Sequence, residues 1–100
     1  MMVKILKCIA YEEVLRILNI IDYKKKIKEN ELYEVLDIPN FEIHKFLKNL
    51  INLEALVEEE IDSETVYSFE KAFLKRYKFI EALLSDMKHE NIFALDLKKF

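Results

Sequence analysis

Residues 30–60 have the sequence NELYEVLDIPNFEIHKFLKNLINLEALVEEE, and this stretch determines the fold class. Asn30 is predicted to cap a short helix, because an asparagine side chain accepts hydrogen bonds from free backbone N–H groups. Pro39 disfavours helical geometry at Ile38, so the helix ends there, and Asn40 is predicted to cap a second helix that runs from Phe41 to about Leu53. Three- and four-residue spacings give the buried side of this second helix, which carries Ile43, Phe46, Leu47, Leu50 and Leu53.

The pattern changes after this helix. Residues 56–61 and 66–69 are rich in β-branched and aromatic side chains and are predicted as two short strands. Between them lie four residues with turn chemistry: Asp62, Ser63, Glu64 and Thr65. The sequence therefore predicts a small antiparallel hairpin.

The N-terminal third is predicted to be helical from about Val3 to Asp22, as one helix or two, because its apolar residues recur at three- and four-residue intervals. Residues 23–28 form a connector in which Ile27 is a candidate for a very short strand. The connector holds four lysines: Lys24, Lys25, Lys26 and Lys28.

The C-terminal third is predicted to contain one long helix over about 70–91, followed by a tail at 92–100. A heptad seam runs along this helix: Phe73, Tyr77, Ile80, Leu84 and Met87. An exposed stripe of this size would be a large apolar patch on a small protein, so the seam is predicted to be a dimer interface.

This order of elements resembles that of small prokaryotic and archaeal winged helix-turn-helix regulators. Ile43, Leu47 and Leu50 match the apolar spacing of the family's recognition helix, and Leu56-Val57 followed by charged residues matches its first wing strand. The family usually ends the recognition helix with a glycine before this pair, whereas Glu54-Ala55 stands here, so the helix must end differently. The resemblance implies one domain over 1–100, mainly α with a small β-hairpin (α+β), with the winged-helix core at 10–69.

The resemblance also implies that the chain is a homodimeric transcriptional regulator that binds double-stranded DNA. In the family the exposed side of the recognition helix enters the major groove and the hairpin touches the backbone. Asparagine can pair with adenine, lysine with guanine or phosphate, and an apolar side chain with a thymine methyl. Carried over by position, the DNA-contacting set is Asn40, Phe41, His44, Lys45, Lys48, Asn49 and Asn52, with phosphate contacts from the lysines at 24–26 and 28 and with the wing at residues 62–65.

The charge distribution favours an alternative. Residues 31–70 carry two lysines and eleven acidic residues, a net charge of −9, although neutralising phosphates supplies much of DNA affinity. A winged helix can also be a docking unit, and an acidic wing would suit a basic protein partner. The position of residues 24–28 distinguishes the two: beside Lys45 and Lys48 they favour DNA, and on the opposite side they favour a protein partner.

Composition excludes several classes of site. Glycine is absent, which rules out recognisable phosphate loops, dinucleotide-binding fingerprints and nucleophile elbows. With one cysteine and two widely separated histidines, the sequence predicts neither a disulfide nor a metal site. We expect no cofactor and no enzymatic activity, since no set of polar residues converges on a reaction.

No signal peptide or membrane-spanning stretch is predicted, so we expect a cytoplasmic location without membrane partners. Lysine and glutamate are abundant and glutamine is absent. This composition is typical of hyperthermophilic proteins, and an AT-rich genome would favour lysine, isoleucine and asparagine in the same way.

Overall fold

Seven helices and a three-stranded antiparallel sheet make up residues 2–100, the part of the chain that this computed structural model describes. The fold class is therefore α+β and mostly helical. The helices are α1 (Met2–Ile9), α2 (Glu12–Lys24), α3 (Glu29–Val35), α4 (Asn40–Asn52), α5 (Phe73–Arg76), α6 (Lys78–Met87) and α7 (Asn91–Leu97). The strands are β1 (Lys26–Lys28), β2 (Leu56–Ile61) and β3 (Glu64–Phe69).

The N-terminal apolar pattern forms two helices. They are separated at Ala10 and Tyr11, and Tyr11 has an extended backbone. Ile5 and Cys8 anchor α1 in the core, while α2 is the central helix and buries residues on several sides. This broad burial explains why the apolar stripe of α2 is wider than one neighbour requires.

The predicted helix caps were wrong by one or two residues. Helix α3 already begins at Glu29, with Lys28 in the capping position and the Glu31 carboxylate accepting a hydrogen bond from the Lys28 backbone N–H at 3.1 Å. Helix α4 begins at Asn40, and Pro39 holds the capping position. In both cases the backbone turns into the helix before the asparagine, so neither asparagine acts as a cap.

Helix α4 ends in a motif that usually contains a glycine, although this chain has none. Glu54 adopts the left-handed conformation, with φ of 60°, that a glycine would take after a helix. Its N–H donates to the Ile51 carbonyl and the next N–H, of Ala55, donates to the Leu50 carbonyl, both at 2.9 Å. These two bonds form a Schellman motif and turn the chain directly into β2.

The sheet has the strand order β1-β3-β2, with Ile27 opposite Tyr67 and Tyr67 opposite Glu58. The predicted short strand at Ile27 is thus confirmed. The hairpin loop consists of Asp62 and Ser63, both with positive φ, a geometry that matches the twist of the flanking strands. The predicted four-residue turn was too long, because Glu64 and Thr65 already pair with β2.

The prediction of one long C-terminal helix was wrong. Tyr77 has φ of −120° and ψ of 66°, which separates α5 from α6. The predicted dimer seam of Phe73, Tyr77, Ile80, Leu84 and Met87 is at most 6% exposed and belongs to the chain's own core. These side chains are therefore not available to a second copy in this fold. The tail at 92–100, for which the sequence predicts no particular structure, contains most of α7, which packs against α2.

Candidate functional site

Helix α4 presents one side to the core and the opposite side to solvent. Ile43, Leu47 and Leu50 are at most 1% exposed, so the orientation of the helix is fixed. All seven of the α4 residues predicted to contact DNA are exposed: Asn40, Phe41, His44, Lys45, Lys48, Asn49 and Asn52. Phe41 is 73% exposed, which is unusual for so large an apolar side chain.

One edge of this exposed side is bordered by acidic residues. Lys48 Nζ donates to the Glu58 carboxylate of β2, at 3.0 Å from Oε2. Nδ1 of His44 lies 3.1 Å from Oε1 of Glu29. Both side chains are therefore oriented by intramolecular partners, and a ligand of α4 competes with those carboxylates.

Glu29 is the centre of a polar cluster between α3, α4 and the sheet. The Tyr67 hydroxyl donates to Glu29 Oε1 at 2.8 Å. Burial alone would raise the pKa of Glu29, but hydrogen bonds from Tyr67, His44 and Tyr33 hold that pKa below its usual range. Burial and the Glu29 carboxylate raise the pKa of Tyr67. The cluster therefore keeps a carboxylate ionised beside the N-terminal half of α4.

The other edge of α4 borders the corner between α1 and α2. A groove of about 690 Å³ lies there, lined by Tyr11 and by Lys45, Asn49 and Asn52 of α4, with Lys48 bordering both this groove and the sheet edge. Tyr11 packs against Phe46 of α4, with 5.9 Å between ring centroids. Glu13 and Glu42 also border the groove, so it mixes aromatic, basic and acidic groups.

Sequence reasoning missed Lys4, Lys7 and Tyr11 as neighbours of α4. The two lysines line a second hollow of about 240 Å³ together with Cys8, Tyr11, Asn49 and Leu53. The Asn49 amide donates to the Cys8 sulfur at 3.5 Å, which ties α1 to α4. Cys8 itself is buried, and burial raises the pKa of its thiol, so it behaves as a small core residue. No local pattern links residues 4–11 to residues 45–53.

The lysines of β1 extend from the far face of the sheet. Side chains alternate between faces along a strand, so the buried Ile27 shares one face of the sheet with the buried Tyr67 and the exposed Glu58. Lys26 and Lys28 consequently lie on the face opposite to the one where Glu58 meets Lys48. There Lys26 Nζ lies 3.5 Å from Glu59 and Lys28 Nζ lies 2.8 Å from Glu64.

The remaining predicted residues lie at two other places. Lys24, at the end of α2, stacks over the Phe100 ring at 5.2 Å, and Lys25 lies 3.9 Å from Asp22. At the hairpin tip Asp62 and Ser63 are exposed. The Thr65 hydroxyl donates to Glu60 on the α4 side of the sheet at 2.9 Å. The predicted set is therefore not one surface.

Within residues 2–100, no group of three or more metal-ligating side chains is placed to hold an ion. Nor does that part of the chain contain a helix with the length and apolarity needed to traverse a bilayer. No protein-family model, curated protein or solved structure matches this chain.

Proposed function

We propose that this chain is a winged-helix protein that binds double-stranded DNA through the exposed side of α4, as a regulator of transcription. The order from α2 through β1, α3, α4 and the β2–β3 hairpin follows the order of the family that the sequence resembles. In this assignment α3 and α4 are the helix-turn-helix, with α4 as the recognition helix, and the hairpin is the wing.

The observation that carries the proposal is the exposed side of α4. Three buried apolar residues fix the helix, and its outer side offers Asn40, Asn49 and Asn52 together with lysines. Amide and ammonium groups on one side of a helix suit the acceptor- and donor-rich edges of bases in a major groove. A rigid helix is also the element that a major groove admits.

The net charge of −9 over residues 31–70 argues against DNA binding, but the acidic residues are divided between the two faces of the sheet. Strand alternation places Glu58 and Glu60 on the α4 side of the sheet and Glu59 on the far side. On the far side Glu59 and Glu64 already have lysine partners. Only part of the −9 charge of residues 31–70 therefore faces a duplex that lies against α4.

The test is a salt titration of binding to a random-sequence DNA duplex, followed by fluorescence anisotropy. Each phosphate contact contributes about 0.9 to the slope of log affinity against log salt. We expect measurable binding at low salt. We expect a double variant that carries both Lys45→Ala and Lys48→Ala to bind more weakly. The matched control is Lys78→Ala with Lys88→Ala, which removes the same charge from exposed positions on and next to α6. A folded protein that shows no binding at low salt would contradict the proposal.

A second candidate function is docking of a basic protein partner, and one observation favours it. Lys26 and Lys28 lie on the far face of the sheet, the arrangement expected for a protein-binding module. Two exposed aromatic rings also lie on this side of the protein, Phe41 on α4 and Tyr11 in the groove beside it. If DNA fails to bind, this candidate requires that polylysine bind and that Glu58→Gln with Glu60→Gln weaken its binding.

A further inference from the structure

Helix α1 extends the exposed side of α4 into a longer surface. Lys4 and Lys7 stand three positions apart, so they project from the same side of α1. Tyr11 and Asn49 border both the hollow next to these lysines and the larger groove that reaches Lys45 and Lys48. The two depressions therefore adjoin at Tyr11 and Asn49.

The position of α1 is fixed by packing. Ile5 is 1% exposed and Cys8 is 5% exposed, and both belong to the main core. The contact between Asn49 and Cys8 holds the last turn of α4 against the end of α1. The lysines of α1 are thus presented on a rigid support, which reduces the entropy lost when they bind a ligand.

The charges on the two edges of α4 differ. Glu29 and Glu58 border the edge next to the sheet. Residues 1–10 contain Lys4 and Lys7 and no acidic residue. Glu13 and Glu42 line the groove itself, whereas the hollow next to it is lined by Lys4 and Lys7 and by no acidic residue, so positive charge is concentrated at the α1 end of this surface. A polyanion that lies along α4 is attracted at that end.

We propose that α1 binds the DNA backbone beside the groove that α4 enters, with Lys4 and Lys7 on successive phosphates and the Tyr11 hydroxyl donating to one of them. This inference rests on the proposed function of α4. Contacts of this type position a protein on the duplex without reading its sequence. They also supply positive charge that the lysines at 24–28, on other surfaces, do not bring to α4.

The experiment uses a double variant that carries both Lys4→Gln and Lys7→Gln. Its DNA binding is compared with that of the wild type in the same salt titration, on two duplexes of unrelated sequence. Loss of two phosphate contacts should reduce the slope by about 1.8 and weaken binding equally for both duplexes. Lys78→Gln with Lys88→Gln removes the same net charge elsewhere and should leave the slope unchanged. Lys4→Arg with Lys7→Arg should restore the wild-type slope, which separates charge from any loss of α1 stability.

Three outcomes overturn the inference in distinguishable ways. If the wild type binds DNA and the Lys4/Lys7 double variant has the same slope as the Lys78/Lys88 control, α1 makes no phosphate contact. The proposed function of α4 then still stands. If arginine fails to restore the slope, the effect belongs to folding of α1. If the wild type does not bind DNA at low salt, the proposed function fails and this inference fails with it.

Discussion

Arg16 and Asp96 form a bidentate ion pair inside the protein, although they lie 80 positions apart in the chain. Arg16 Nε donates to Oδ2 at 2.9 Å and Nη2 donates to Oδ1 at 2.8 Å. The third branch of the guanidinium, Nη1, reaches Asp37 at 3.0 Å, in the turn that precedes α4. One arginine of α2 therefore holds both the C-terminal helix and the turn between α3 and α4.

Neutralising Asp96 should destabilise the protein strongly. Asp96 is fully buried, and its loss would leave the buried Arg16 with only the exposed Asp37 as a counter-charge; breaking a buried pair costs about 3–5 kcal/mol. We expect Asp96→Asn to lower the free energy of unfolding in urea by that amount. Asp37→Asn is the matched control, since the Asp37 side chain is 81% exposed and its loss should cost less than about 1 kcal/mol. Equal effects of the two changes would mean that α7 is not anchored by this pair.

This ion pair is also an example of a contact that the sequence does not predict. The bounds of β2 and the extent of α4 follow from local periodicity, and both were predicted closely. The break at Tyr77 was not, because the three- and four-residue spacing from Phe73 to Met87 continues across it. Nothing local distinguishes Asp96 from an ordinary surface aspartate, since its burial depends on an arginine far away in the chain.

The candidate site also has a part that the sequence predicts and a part that it does not. The exposed side of α4 could be predicted, since one helix determines which of its own residues face outward. The neighbours of that side could not. Whether Lys26 lies beside Lys48 depends on strand register, and the approach of Lys4 to Asn49 depends on the angle between helices. Both are tertiary properties that no sequence spacing encodes.

Glycine at position 54 should stabilise the protein. Glu54 occupies the left-handed region, which costs a non-glycine residue roughly 1–2 kcal/mol, while glycine adds a smaller entropic penalty in the unfolded chain. We expect Glu54→Gly to raise the free energy of unfolding by about 0.5–1 kcal/mol. Glu54→Ala removes the same carboxylate, which lies 3.9 Å from Arg76, but keeps the Cβ atom, and should give no gain. A gain from alanine equal to that from glycine would assign the effect to charge.

The apolar seam of α5 and α6 should act within one chain. Ile80 and Leu84 are fully buried in the monomer, so Ile80→Ala or Leu84→Ala should cost about 2–5 kcal/mol of unfolding free energy. This loss should be the same at low and high protein concentration. If the seam were a dimer interface, the stability of the wild type would rise with concentration and that of the variants would not. Light scattering on the same samples gives the oligomeric state directly.

The Glu29 cluster should make stability depend on pH in the acid range. The folded-state pKa of Glu29 lies below its ordinary value of 4.5, so its ionised form stabilises the fold above pH 4.5. That contribution is lost as the pH falls through the folded-state pKa. Glu29→Gln keeps an acceptor for Tyr67 but cannot ionise, so the wild type should exceed it in stability at pH 7 and lose this advantage below pH 4.5. Urea unfolding across this range measures the difference, and a constant gap would contradict the assignment.

The two faces of the sheet give a pair of neighbouring glutamates for testing DNA binding. Glu58 pairs with Lys48 on the α4 side, whereas Glu59 pairs with Lys26 on the far side. We expect Glu58→Gln to tighten binding to duplex DNA, because it releases Lys48 and removes a negative charge near the phosphates. Glu59→Gln removes the same charge one residue further along and should change affinity much less, since charges more than about 10 Å apart are largely screened at 0.1 M salt. Equal tightening would indicate a general effect of net charge. No change from Glu58→Gln, in a protein that binds DNA, would mean that the duplex does not lie against the Lys48 edge of α4.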